Sequence, residues 1–330
     1  MKKVLVTGGA GFIGSHLVEL LLARGHEVWT IDDLSTGKLS ALDNALNHPK
    51  HHFIEGSILD KRLLEEVLPQ VDVIYHLAAV LGVKNCVENP LTVIKGNIDG
   101  TKNVLEVAAP LGKKVIFAST SEVYGKNKKL PFREHDDRVY GSAHIHRWCY
   151  AASKALDEHL CLAYAKAGLP VTILRYFNAY GPRATSSSYG GGIPRFIAAA
   201  LKGDPLVLHG TGQQTRCFTY ISDTVEASYR AMDPKANGLI INVGNNKQVS
   251  IETLAYMIKG LTHSNSEIVY VPYEKAYGEG FEDMAKRQPD ITRLKEVLDF
   301  KPRIHIKAGL YKTIQWFKAE ASRLNMDHSL

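Results

Sequence analysis

Thr7-Gly8-Gly9-Ala10-Gly11-Phe12-Ile13-Gly14 decides the fold. It follows the apolar run Val4-Leu5-Val6, which reads as a strand. It opens residues 14–24, where Leu17, Val18, Leu21 and Leu22 recur at helical spacing. Gly25 closes that helix, and Val28-Trp29-Thr30-Ile31 reads as the next strand. The turn between strand and helix carries both GxGxxG (Gly9, Gly11, Gly14) and GxxGxxG (Gly8, Gly11, Gly14). Backbone without Cβ can approach a pyrophosphate, and a helix amino terminus favours its charge. Asp32 ends the second strand about 20 residues beyond the turn, where a carboxylate can bond the ribose hydroxyls of an adenosine. That acid would repel a 2′-phosphate, so NAD is expected rather than NADP. Asp33 adds to this, while Arg24 and Lys38 are the nearest bases that oppose it.

The pattern continues beyond the turn. Val73 to Leu77, Val115 to Ala118 and Val171 to Arg175 read as further strands. Residues 97–109 and a long segment from Tyr150 to Ala167 read as helices between them. Continuous apolar strands alternating with helices predict an α/β fold, a Rossmann doubly wound parallel sheet covered on both faces. After Asn178 the texture changes. Residues 180–192 are rich in Gly, Ser and Pro and are expected to form a mobile loop, and residues 210–215 a turn between strands. Residues 238–243 look like a strand that returns to the main sheet. Residues 250–261 are expected as a helix, 264–290 as irregular chain and 304–321 as a closing helix. The expected division is a dinucleotide domain over 1–178, with a returning segment near 216–262, and a smaller carboxyl-terminal α/β substrate lobe over 179–215 and 263–330.

Composition narrows the function. The chain has 330 residues, 45% hydrophobic and 22% charged, which is ordinary for a soluble globular protein large enough for a sizeable core. Its formal charge of +6 is spread along the chain, and the one basic cluster, residues 126–129, lacks an aromatic ladder. That argues against nucleic acid and allows a small anionic substrate. No apolar run is long enough to span a membrane, and none near the start resembles a signal peptide. Cys86, Cys149, Cys161 and Cys217 form no CxxC pair, which fits free thiols in a reducing cytoplasm.

Tyr150 and Lys154 stand four apart on a predicted helix, so their side chains share one face. A free tyrosine, with a pKa of about 10, is a poor base, and an adjacent ammonium favours its phenolate. Ala118-Ser119-Thr120-Ser121-Glu122-Val123-Tyr124-Gly125 supplies hydroxyls at a strand's carboxyl end, where ligands of open α/β sheets sit.

Here a resemblance becomes specific. TGGAGFIG, HLAA at His76 to Ala79, STSEVYG at Ser119 to Gly125, YAASK at Tyr150 to Lys154 and RYFNAYGPR at Arg175 to Arg183 occur in the order seen in extended short-chain dehydrogenases/reductases. They are most similar to the NAD-dependent nucleotide-sugar epimerases, dehydratases and decarboxylases. Thr215 to Tyr220 and Lys286 to Asp290 also fall where that family has its later motifs, so the resemblance covers nearly the whole chain. It implies that Tyr150 takes the proton of the sugar 4-hydroxyl while hydride leaves C4 for NAD. It implies that Lys154 tunes Tyr150 and holds the nicotinamide ribose, and that Thr120 bonds the same sugar oxygen. Gly8, Gly11, Phe12, Ile13, Gly14, Asp32, Ser35, Leu77, Ala78 and Ala79 would line the NAD site. Lys84, Ser121, Asn178, Arg216 and Arg287 are the candidates for the nucleotide diphosphate or sugar. A loop cap is the plain alternative for Asn178, and a surface charge for Arg216.

Several reactions share oxidation at C4. Dehydratases of this family carry an Asp-Glu pair in this region, and here Ser121 precedes Glu122, which argues against dehydration. STSEVYG and Arg287-Gln288-Pro289-Asp290 resemble the UDP-glucuronate decarboxylases. A C4 ketone makes the C5 acid a β-keto acid, which loses carbon dioxide readily, and Glu122 and Arg287 could manage the carboxylate and the later protonation. Residues 76–90 instead resemble the uronate 4-epimerases, with Lys84 as their basic residue. Leu81 replaces a lysine of the galactose-type enzymes, which weakens that branch. Decarboxylation of UDP-glucuronate is placed ahead of 4-epimerisation. A non-catalytic NAD scaffold is disfavoured because Tyr150 and Lys154 are both present.

His144, His146 and Trp148 invite a metal reading, but an HxH without a third ligand suits loop packing, and no metal is expected. The same residues could cover the sugar. Relatives pair through two helices, here 97–109 and 150–167, so a homodimer is expected. In such relatives NAD is reduced and reoxidised within one turnover, which implies a cofactor that stays bound.

Overall fold

A computed structural model describes residues 1–185, 192–277, 282 and 284–327. Seven parallel strands form the main sheet: β1 (Lys3–Thr7), β2 (Glu27–Asp32), β3 (His51–Glu55), β4 (Val73–His76), β5 (Lys114–Thr120), β6 (Val171–Tyr176) and, returning from much later in the chain, Ile240–Val243. Their spatial order runs from the returning strand through β6, β5, β4, β1 and β2 to β3. The order reverses between β1 and β4, which is where a doubly wound sheet opens its ligand crevice. Val4, Leu5 and Val6 are fully buried, as expected of a strand covered on both faces.

Helices α1 (Phe12–Ala23), α2 (Asp43–Leu46), α3 (Lys61–Val67), α4 (Val83–Glu88), α5 (Pro90–Ala108) and α6 (Cys149–Lys166) connect the first six strands. On α1, Leu17, Val18, Leu21 and Leu22 are buried, as the spacing predicts. Helix α5 begins at Pro90, well before residue 97. Proline is favoured in the first helical turn, where its missing N–H costs nothing, so the helix starts there. Helices α5 and α6 pack against each other.

Beyond Tyr176 come β7 (Ala179–Tyr180), α7 (Gly192–Lys202), β8 (Leu206–His209), β9 (Thr215–Cys217), β10 (Thr219–Tyr220) and α8 (Ile221–Arg230). The returning strand is β11. After it follow β12 (Gln248–Ser250), α9 (Ile251–Thr262), β13 (Ile268–Val271), α10 (Tyr273–Tyr277), β14 (Lys286–Arg287), α11 (Thr292–Leu298) and α12 (Ile306–Asp327). Ser250 caps α9 by accepting from the Thr253 N–H at 3.0 Å. Three small sheets pair β10 with β7, β13 with β8, and β9 with both β12 and β14.

Two expectations need correction. Residues 264–290 contain two strands and a short helix rather than irregular chain. Both strands pair with partners distant in sequence, β13 with β8 and β14 with β9, so no local pattern announces them. The expected mobile loop at 180–192 includes β7 and the start of α7, and its remainder, residues 186–191, lies outside the described residues. Among the described residues no helix is long and apolar enough to cross a membrane.

Candidate active site

The turn from β1 to α1 discriminates between its two overlapping glycine patterns. Gly8, Gly11 and Gly14 line a cleft of about 440 Å³ at the carboxyl ends of the strands. Gly9 instead lies against Thr30, whose Cγ2 would be 2.3 Å from an added Cβ. GxxGxxG is therefore the working pattern. Gly8 has φ +71°, and a Cβ there would meet the Ala78 N at 2.7 Å. A Cβ at Gly14 would lie 2.2 Å from the Gly8 carbonyl oxygen and 2.7 Å from Gly9 Cα, both backbone atoms. Gly14→Ala must therefore move the turn. The expected result is a melting temperature lowered by overpacking worth about 1–3 kcal/mol, with at least a tenfold loss of NAD affinity by calorimetry. Unchanged affinity would show that the turn does not cradle the pyrophosphate.

Asp32 accepts from Ala10 N–H and Leu34 N–H, each at 2.9 Å, so its carboxylate ties the glycine turn to the end of β2. Burial pushes its carboxyl up and these two bonds oppose that. Of the two bases that could oppose NAD selectivity, Arg24 is engaged elsewhere and Lys38 adjoins the turn, its N–H donating to the Ala10 carbonyl at 3.1 Å. Arg24 pairs with Glu226 at 2.9 Å and lies over the Tyr229 ring, and Lys38 is exposed. Asp33 holds Ser35 by a hydroxyl donation of 2.5 Å. Leu77, Ala78 and Ala79 form the opposite wall of the cleft. Asn97 steadies this wall by accepting from Val80 N–H at 2.8 Å and donating to Ser153 Oγ at 3.2 Å. A groove of this size, with Cβ-free backbone at a helix amino terminus and a carboxylate at the next strand end, fits NAD.

Thr120, Tyr150 and Lys154 line the same cleft. Thr120 ends β5, and its Oγ1 accepts from Glu122 N–H at 3.2 Å. Lys154 is 1% exposed, and its Nζ lies 4.4 Å from the Phe117 ring centroid. Burial pushes the Lys154 ammonium down and the Tyr150 phenol up. A neighbouring ammonium is thus what Tyr150 needs to act as a base.

Beyond Thr120 lies a second cluster. Arg147 grips Glu122 with both terminal nitrogens, at 2.7 and 3.2 Å. Arg287 donates to Ser121 Oγ at 3.2 Å and comes within 3.8 Å of Glu122. Arg216 stands in register beside Arg287 on the paired strands β9 and β14. Burial alone would push the Glu122 carboxyl up, but Arg147, Arg287 and Arg216 more than offset it and hold it down to about 2. Glu122 is therefore anionic at neutral pH and has no proton to give.

All ten cofactor candidates, together with Thr120, Tyr150 and Lys154, share the one cleft. Ser121, Glu122, Arg216 and Arg287 gather in the adjoining cluster. Arg216 is 8% exposed, so it is not a surface charge. Asn178 precedes β7, and its side chain donates to the Cys217 carbonyl at the end of β9 at 3.4 Å, as a loop cap would. Lys84 is on α4, and its side chain lies outside the described residues. His144 and His146 are exposed, while Trp148 is buried and donates to Glu282 at 2.9 Å. Sequence reasoning missed Arg147, although an arginine three residues before Tyr150 in an otherwise aromatic approach was a usable signal. It also missed Glu158, which accepts from Arg175 at 2.9 and 2.7 Å, from Arg138 at 2.5 Å and from Ser119 at 2.5 Å.

Residues 4–244 match the sequence model of the NAD dependent epimerase/dehydratase family. A UDP-N-acetyl-alpha-D-glucosaminuronate decarboxylase of Bacillus cytotoxicus is 54% identical over 317 residues, spanning 96% of this chain and 98% of the relative. UDP-glucuronic acid decarboxylase 1 of Xenopus tropicalis is 36% identical, over 97% of this chain and 73% of that one. Among solved structures, UDP-glucuronic acid 4-epimerase of Bacillus cereus, in complex with UDP-glucuronic acid and NAD, superposes with a TM-score of 0.87. It is 31% identical, and the match covers 96% of this chain and 99% of that one.

Proposed function

The chain belongs to the NAD-dependent epimerase/dehydratase family, and on that premise we propose that it oxidises C4 of a UDP-hexuronate and then decarboxylates it. The 2-acetamido uronate is favoured over UDP-glucuronate, because the relative named for it is 54% identical and the one named for UDP-glucuronate 36%. The observation that carries the reading is Arg287, beside Glu122 and bonded to Ser121, the residue next to the Thr120 that lines the cleft.

NAD, held by Gly8, Gly11, Gly14 and Asp32, would supply the hydride acceptor for C4 and the hydride for its later reduction. Tyr150, supported by the Lys154 ammonium, takes the proton of the 4-hydroxyl, and Thr120 bonds the same oxygen. The C4 ketone then withdraws electrons from the C5–C6 bond. That bond breaks, carbon dioxide leaves, and its electron pair forms the enolate held at Tyr150 and Thr120. Arg287 orients the sugar carboxylate, and Glu122, being anionic, fixes the arginines and acts as no acid itself. Protonation of C5 therefore draws a proton from solvent, and Tyr150, loaded in the first step, returns its own proton to the C4 oxygen as hydride comes back. Arg216 is assigned to the diphosphate, and residues 179–215 and 263–330 to the lobe that holds the nucleotide. NAD is read as staying bound through turnover. The exposed Leu91 on α5 and Leu156 on α6 suit pairing of two copies through these helices.

Incubation with NAD and either UDP-N-acetylglucosaminuronate or UDP-glucuronate, followed by measurement of carbon dioxide and product separation, tests this. Carbon dioxide and a UDP-pentose are expected, faster with the acetamido substrate. A C4 epimer formed without carbon dioxide would replace the proposal with 4-epimerisation. Glu122→Gln should cut carbon dioxide release by about a hundredfold while NAD remains bound. Full activity in that variant would remove Glu122 from the site.

A further inference from the structure

Asp157 has no part in the chemistry so far, yet it is the most conspicuous misfit in the core. It lies on α6, three residues after Lys154, and is 0% exposed. No hydrogen bond of ordinary geometry meets either carboxylate oxygen. A buried, unsatisfied carboxylate is costly, and such groups concentrate at working sites. We propose that Asp157 is a positioning residue for the Tyr150–Lys154 couple: its carboxylate supplies the fixed negative charge that keeps Lys154 an ammonium in a dry setting, and so sets the couple's working pH.

The surroundings leave Asp157 as the group for this task. On α6 itself it is flanked by Lys154, Glu158 and Cys161. Glu158 is already committed to Arg175, Arg138 and Ser119. Burial pushes the Cys161 thiol up, so it carries no charge. From α5, the Thr101 hydroxyl lies near enough to offset a little of the Asp157 burial. Thr101 in turn meets His76 of β4 at 3.2 Å. Burial and the Lys154 charge hold that imidazole down to about 3, so it is neutral. From β5, Lys154 meets the Phe117 ring, not a second anion. Asp157 is thus the counter-charge of Lys154, and it heads the influences that oppose the loss of the Lys154 proton on burial. It also disfavours Tyr150 phenolate, behind Glu122 and Cys86.

One substitution separates this role from a structural one. Asp157→Asn keeps the shape and removes the charge. Both Tyr150 and Lys154 should then lose their protons more easily, moving both limbs of the activity–pH profile to lower pH by about one unit. Stability should move the other way. Burial pushes the Asp157 carboxyl up to about 6 from its ordinary 3.8. Native stability is therefore lost as pH rises through that window, and the cost is full above it. The variant should melt higher than the parent at neutral pH and equal it in acid below the window. Asp157→Glu, which retains the charge, should keep the parental midpoints.

The proposal rests on Tyr150 being the base, so the phenol is also titrated directly. The tyrosinate absorbance of the NAD-loaded protein is followed against pH, with Tyr150→Phe as the blank. Tyr150 should ionise at lower pH in Asp157→Asn. Midpoints that stay at parental values, in turnover and in the phenol titration, overturn the role of Asp157. Turnover that survives in Tyr150→Phe overturns the assignment of the base instead.

Discussion

Tyr150→Phe is expected to lower kcat by about a thousandfold, the usual weight of a positioned base, with the UDP-sugar still bound. The substitution removes one oxygen. Lys154 stays against Phe117, and the cleft walls at Gly8, Asp32 and Ala78 are untouched. KM should therefore change little, because the lost interaction belongs to the transition state. Single-turnover absorbance of bound NADH gives a finer reading. Parent protein should reduce its cofactor on mixing with substrate, and the variant should not. Reduction at the parental rate would mean that another group accepts the 4-hydroxyl proton, and Thr120 would be the first to examine.

Arg147→Ala should cost the fold more than it costs cofactor binding. Arg147 is 4% exposed and holds Glu122 through both terminal nitrogens. Removing one partner of a buried pair leaves a desolvated charge, at about 3–5 kcal/mol. Arg287, 3.8 Å from Glu122, reduces this to the lower end. The sign of the pH dependence follows from Glu122. In the parent its carboxyl is depressed from 4.5 to about 2, so its contribution to stability is present above its ordinary value and lost as pH falls through about 2. In the variant the same carboxylate keeps only the more distant Arg287 and Arg216, so it is less compensated at neutral pH and protonation costs less. Denaturant unfolding should therefore show a gap between the two proteins that narrows in acid. A gap independent of pH would place the role of Arg147 in packing rather than in charge. Decarboxylation should also fall, because Glu122 loses the partner that holds its carboxylate beside Arg287.

These two predictions differ in how far the sequence foretold them. Tyr150, Lys154 and the Gly8–Gly11–Gly14 turn are local patterns, written within a strand, a turn or one helix face. Their geometry is set by neighbours a few residues away, and periodicity reports it. Arg147 faces Glu122 because α6 is delivered to the end of β5 by a connection with little regular structure, and no periodicity encodes that meeting. The pairing of β9 with β14 is likewise non-local, which is why residues 264–290 read as irregular. Asn178 shows a further limit. Its motif matches the family, and its contact with the Cys217 carbonyl, 39 residues on, is one that no local pattern foretells. Asp157 looked like an ordinary polar residue on a helix. Only burial without a partner makes it notable, and burial is a property of the assembled core.

The register of Arg216 beside Arg287 has a kinetic side. Each arginine arrives on a very short strand, and the two strands come from distant parts of the chain. Neither can hold an anion in a fixed place until both have docked. Long-range pairings of this kind close late, since loop entropy must be overcome before any contact is made. The dinucleotide half, built from adjacent βα units, can reach its shape earlier. An anion bound between the arginines would, by mass action, secure the last part of the chain to fold.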